Sequence, residues 1–119
     1  MLKILAALCL SLIVLGTPPA VATEAFSGGE SLKGWCDNMD DRDLHWGLCV
    51  GSIIAAHDTI MAYQNFENME QLVCIAPEVT RGEVVAAVID YMNMHPEDLD
   101  YSLGDLVLVA LIARYPCTP

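Results

Sequence analysis

Several groupings in this 119-residue chain hold side chains capable of chemistry. His57 and Asp58 are adjacent, a base beside a carboxylate. Neighbours on a helix project in different directions, and no nucleophile is specified near them. A structural role is therefore expected, and no catalytic residue. His45 and Cys49 stand four apart, the spacing of two zinc ligands on one helical face. An oxidising compartment would take Cys49 out of that role. Met92, Met94 and His95 in YMNMHPE are soft donors of the kind that hold Cu(I). The plainer reading packs Met92 in the core and leaves Met94 on the surface.

The stretch DNMDDRD carries Asp37, Asp40, Asp41 and Asp43. Its spacing fails as a calcium loop: Met39 falls where a ligand is needed and no glycine follows at the turn. A solvated acidic loop is expected, and no metal ion or cofactor at any of these places. The same four aspartates, with Trp46 beside them, are candidate partner-binding residues that would meet a basic patch. Exchanging them for Asn would then slow association. Trp35 and Trp46 flank the loop; tryptophan is a frequent interface anchor, although a core position accounts for one or both more simply.

Five cysteines are present, and export decides how many matter. Met1-Leu-Lys3 is a basic start, residues 4–16 are an apolar run, and Ala20-Val-Ala22 is a small-x-small cleavage pattern. Residues 1–22 therefore read as a secretory signal peptide, too short for a membrane span. Cleavage after Ala22 removes Cys9 and leaves Cys36, Cys49, Cys74 and Cys117. Four cysteines in a short secreted domain read as two disulfides, with three pairings open.

Removing 22 of 119 residues leaves 97, enough for a marginal core that staples would help. Lys3 leaves with the leader, so a net charge of −11 becomes −12. Such a chain repels nucleic acid and anionic lipid and attracts basic partners. No later segment is long enough to span a membrane, so a soluble periplasmic product is expected.

The elements that must position these residues are helices. Ser27-Gly-Gly-Glu30 has the S-x-x-E capping pattern and opens a first helix over about 28–38, with Leu32, Trp35 and Cys36 inward. Asp40 or Asp41 caps a second over about 41–64, with Leu44, Leu48, Cys49, Ile53, Ala56, Ile60 and Tyr63 near a helical period. Residues 65–79 are a connection; LVCI within it has no partner strand and reads as loop or a turn of helix. Thr80-Arg-Gly-Glu83 is a second capping box, opening a helix over about 81–94 with Val84, Val85, Val88, Tyr91 and Met92 inward. His95-Pro96 ends it. Residues 97–101 turn, and Ser102 caps a fourth helix to about 114, with Leu103, Leu106, Val107, Ala110 and Ala113 inward. Pro116 stops it. The fold class expected is all-α, a small four-helix antiparallel bundle stapled by two disulfides.

Helices three and four are joined by a short turn, so they should be antiparallel neighbours. Cys117 follows one and Cys74 precedes the other, at the same end of that hairpin. This favours Cys74–Cys117, and Cys36–Cys49 by elimination. The second pair is looser, because Cys49 lies well inside its helix and a steep crossing would be needed.

The order of these features resembles a known family. Cys49 leads to Asp58 nine residues on, then C-I-A-P at 74–77, then HPE at 95–97, then P-C at 116–117. This resembles the Rap/Tai family of periplasmic immunity proteins of bacterial type VI secretion systems, over residues 31–117. Ser52, Ala55 and Val73 depart from the family's usual residues at what read as packing positions, and the place of Asp58 in the family motif implies a bond to a neighbouring loop or cap. On this reading residues 1–22 are the signal peptide, 23–30 a flexible lead-in and 31–119 a Rap/Tai-like helical domain. The resemblance implies a helical, often dimeric protein that binds a cognate effector toxin, commonly a peptidoglycan amidase, and blocks its cleft. It is not an enzyme on this reading. An alternative of another class is a small periplasmic stress or chaperone-like protein without a toxin partner; a metal carrier comes third.

Overall fold

The structure is a computed structural model that describes residues 27–38, 44–66 and 69–118. The expected leader, Asp40, Asp41, Asp43 and the expected cap of the second helix lie outside the described residues. Four α-helices follow one another: α1 (Gly29–Asp37), α2 (Leu44–Gln64), α3 (Arg81–Met94) and α4 (Leu103–Arg114). A 3₁₀ turn (Pro96–Asp100) occupies the connection expected to be a simple turn. Among the described residues there are no strands, only isolated bridges between Gly28 and Ser102 and between Val73 and Pro116.

The caps explain the third and fourth helices directly. Thr80 Oγ1 accepts from the Glu83 N–H, and the Glu83 carboxylate accepts from the Thr80 N–H at 2.7 Å. These reciprocal bonds hold the Glu83 carboxyl below its ordinary range, with the Thr80 backbone N–H the main cause. Ser102 accepts from the Asp105 N–H in the same way. The expected box at Ser27 does not form: Gly28 caps α1 and no side chain bonds its first turn. Tertiary bonds take over that end. The Gly29 N–H donates to the Tyr101 carbonyl and the Leu103 N–H to the Ser27 carbonyl, each at 2.9 Å.

One core joins all four helices. Leu32 and Cys36 from α1, Cys49 and Ile53 from α2, Val84, Val85, Val88 and Met92 from α3, and Leu106, Val107, Ala110 and Leu111 from α4 are buried together. α3 packs along α4, and α2 lies against α1, α3 and α4. Ala113, expected inward, is exposed, as are Leu44 and Tyr63. α2 is apolar around most of its circumference, so a helical period alone could not say which stripe the other three helices cover.

Both disulfides pair as the hairpin geometry favours. Cys74–Cys117 and Cys36–Cys49 have Cα separations of 4.9 and 5.0 Å. The first pair lies where the 69–75 segment runs beside the chain end. The Cys74 N–H donates to the Tyr115 carbonyl at 2.9 Å, and Val73 bridges Pro116. The tail is thus tied by a covalent bond and by backbone pairing.

Candidate protein-interaction surface

Four of the eight large exposed apolar side chains among the described residues lie at the far end of α2 and in the connection after it. Tyr63 is 60% exposed, Phe66 68%, Met69 37% and Leu72 41%. Together with Ile60 of α2 and Leu108 of α4, three of these residues, Tyr63, Met69 and Leu72, line a hollow of about 400 Å³. Thr59, Gln64 and Glu70 complete its lining. Patches of large apolar side chains on a soluble surface mark sites of contact with other macromolecules.

One buried polar side chain builds the wall of this hollow. Gln64 closes α2 and is only 4% exposed. Its Oε1 accepts from the N–H groups of Leu72 and Val73 at 2.8 and 2.7 Å, and its Nε2 donates to the Val73 carbonyl at 2.9 Å. Gln64 thereby supplies to the 71–73 segment the pairing a neighbouring strand would give. Gln71 Nε2 returns a bond to the Gln64 carbonyl at 2.9 Å. Val73 is turned into the core, while Leu72, next along the extended chain, points out beside Met69.

The electrostatics of α2 fit an apolar contact. Asp58 is the sole formally charged residue in its sequence, LHWGLCVGSIIAAHDTIMAYQ, within a chain of net charge −11. Glu70 is the one acid lining the hollow. The site can bury apolar side chains of a partner while the acidic surface around it attracts a basic one.

The residues singled out from the sequence are placed differently. Asp37 ends α1 and pairs with Lys33 at 2.6 Å, which leaves it partly neutralised. Trp46, in the first turn of α2, is half exposed and lines a separate hollow with Val50, Arg81, Gly82 and Val85. Trp35 packs against the core. Cys49 is disulfide-bonded, so it offers no thiolate beside His45. Met92 is buried while Met94 is exposed, and His95 stacks on Tyr91 and bonds Glu97, so the three soft donors do not converge. The Tyr91 hydroxyl donates to the Asp98 carboxylate at 2.6 Å, a bond that, with burial, pushes the phenol up to about 12.

His57 and Asp58 do touch, against the expectation from their adjacency. His57 Nδ1 lies 2.8 Å from Asp58 Oδ1, so Asp58 bonds its neighbour and not a loop. The hollow they line contains no serine, threonine, cysteine or lysine. Phe66, Met69 and Leu72 were not singled out from the sequence. Their signal was there: three large apolar residues at intervals of three in a segment read as mere connection.

A family model fits this arrangement. The model of the Rap1a immunity proteins matches residues 28–117. The chain belongs to the Rap1a immunity protein family. No curated protein and no solved structure matches it. The Rap1a match runs from the cap of α1 to the last cysteine, so it takes in every helix and both disulfides. Membership makes the protein one of a group of immunity proteins, which act by binding a toxin. The two disulfides are those of an exported protein, and no helix among the described residues is long and apolar enough to cross a membrane.

Proposed function

We propose that this chain is a periplasmic immunity protein that binds and inhibits a cognate toxin, a peptidoglycan amidase delivered by a type VI secretion system. The observation that carries the reading is the Rap1a family match over residues 28–117. The leader-like residues 1–22 and the two disulfides support export to the periplasm. An acidic chain suits a basic enzyme that must approach the cell wall, because opposite charge speeds encounter. Inhibition asks only for a rigid surface that fills a cleft, and the disulfides supply rigidity before binding. No step of the function requires catalysis by this chain.

Two faces are proposed for contact. The apolar hollow bounded by Tyr63, Met69 and Leu72 gives a desolvated centre of the kind that dominates binding energy. The acidic segment with Asp37, Asp40, Asp41, Asp43 and Trp46 gives the steering charge. A homodimer would use one of these faces and leave the other for the toxin.

The test is capture followed by assay. The oxidised chain from residue 23 is used as bait in extract and secreted fractions of its own bacterium. Stoichiometric capture of a cell-wall hydrolase whose activity is lost supports the proposal. Tyr63→Asp should then weaken capture by about 100-fold, as an aromatic anchor does, while the four Asp→Asn exchanges should lower the on-rate. Absence of such a partner, when the secretion system is expressed, rejects it in favour of a stress-type protein.

A further inference from the structure

A second hollow, on a different side of α2, combines features that the toxin-binding reading does not use. It measures about 380 Å³ and lies where α2, the 75–79 connection and the start of α3 meet. Ile54, Met61, Ile75, Val79 and Val84 give it an apolar part. Asp58 and Arg81 also line it.

These two opposite charges share one concave surface and yet form no ion pair. Asp58 bonds His57 at 2.8 Å and its side chain stays 71% exposed. Among the described residues, Lys33 pairs with Asp37 and Arg114 lies over the Tyr115 ring, but Arg81 has neither an acid nor a ring partner. Arg81 is exposed, so its guanidinium is solvated and open to a ligand. It stands in the first turn of α3, the helix end that disfavours a positive side chain. The chain has an excess of carboxylates to pair it with, sixteen acids against five bases. A cation and an anion that line one hollow together with apolar side chains match a molecule that carries the reverse charges at its two ends.

We propose that this hollow binds a short free peptide, or an amino acid, with an apolar side chain. Its carboxylate meets the Arg81 guanidinium. Its ammonium meets Asp58, which His57 holds in place. Its side chain rests on Ile54, Met61 and Ile75. The volume suits a ligand of one or two residues, being at the small end of ligand pockets. This is independent of the toxin reading, since it uses another side of α2 and a ligand of another class.

The experiment is a titration followed by amide NMR on the oxidised chain from residue 23, whose described fold lies wholly within residues 27–118. The probe is the zwitterionic dipeptide Ala-Leu; the comparison probe is N-acetyl-leucine amide, which has the same side chain and no charge. The expected result is saturable shifts at Ala76, Arg81 and Gly82 with Ala-Leu, and binding roughly tenfold weaker for the blocked compound. Arg81→Gln and Asp58→Asn, both at exposed side chains, should each weaken Ala-Leu by roughly tenfold. No saturable shift up to about 20 mM overturns the proposal. An equal response to the blocked compound overturns it too, and needs no variant to fold.

Discussion

Replacing Gln64 by Met tests the clamp that shapes the apolar hollow. Methionine is close to glutamine in length and can fill the same buried space. What it cannot do is serve the backbone of the facing segment. Three bonds from the Gln64 side chain disappear, those from the Leu72 and Val73 N–H groups and that to the Val73 carbonyl. Leu72 is 41% exposed, so water can replace its partner. Val73 is fully buried, so its N–H and C=O are left without one. A buried polar group without a partner costs about 1–3 kcal/mol, and the loss is partly offset because glutamine itself no longer needs solvating. The expected destabilisation is about 2–4 kcal/mol. That is a large share of the roughly 5–15 kcal/mol available to a domain of this size. Urea unfolding of the oxidised chain measures it, and the melting temperature should fall by about 10–25 °C. Amide exchange adds a local readout, because protection of Val73 should drop before that of α3. Gln71→Ala is the control: it removes one bond at an exposed side chain and should cost about 1 kcal/mol or less. If Gln64→Met stays within about 0.5 kcal/mol of the parent, the clamp does not hold the segment and the reasoning fails.

Other outcomes follow from the same geometry. A Cβ on Gly29 would lie 2.7 Å from the Leu99 carbonyl and 2.8 Å from Leu106 Cδ2, so Gly29→Ala should destabilise by about 1–3 kcal/mol in denaturant unfolding. Gly51→Ala meets nothing within 4 Å and should stabilise by about 0.5–1 kcal/mol. Cys74–Cys117 closes a loop of 43 residues and Cys36–Cys49 one of 13, so paired Cys→Ser exchange should cost about 4 and about 3 kcal/mol respectively, compared by thermal unfolding. Tyr91 should ionise near 12 in an ultraviolet titration, and Asp98→Asn should bring it down. Because the fold raises that value above the free phenol's 10, Tyr91 stabilises the fold fully below pH 10, and the contribution is lost as pH rises through about 12. For Glu83 the sign is reversed. Its depressed carboxyl contributes stability above the ordinary value of 4.5, lost as pH falls through the folded one, and Thr80→Ala should remove that dependence along with the cap.

The sequence by itself determined the parts of this protein that rest on nearest neighbours. The caps at Thr80 and Ser102 set the starts of α3 and α4, because each links residues three apart and needs nothing from the rest of the chain. The valines of α3 and the Leu106-Val107-Ala110 set of α4 went inward as their spacing dictates. The cysteine pairing was legible because a short turn forces α3 and α4 to run back along each other. The order of Cys, CIAP, HPE and terminal PC was enough to point to the family.

Only the tertiary structure decided the surfaces. Gly29 was only a spacer within the S-x-x-E pattern, yet it is the contact that lets α1 approach Leu99 and Leu106. Ser27 looked like a cap, but its carbonyl is bonded to Leu103, seventy-six residues along the chain. Gln64 ends α2, and it is buried where its side chain bonds the backbone of Leu72 and Val73. Tyr63 and Leu44 share the apolar period of α2 with Ile53 and Cys49, but three neighbouring helices cover only one side of it. A helix this uniformly apolar carries no record of which face will be covered. That is fixed by where the other helices run out of length, so both the exposed patch and the unpaired charges at the α2–α3 hollow were beyond the reach of spacing rules.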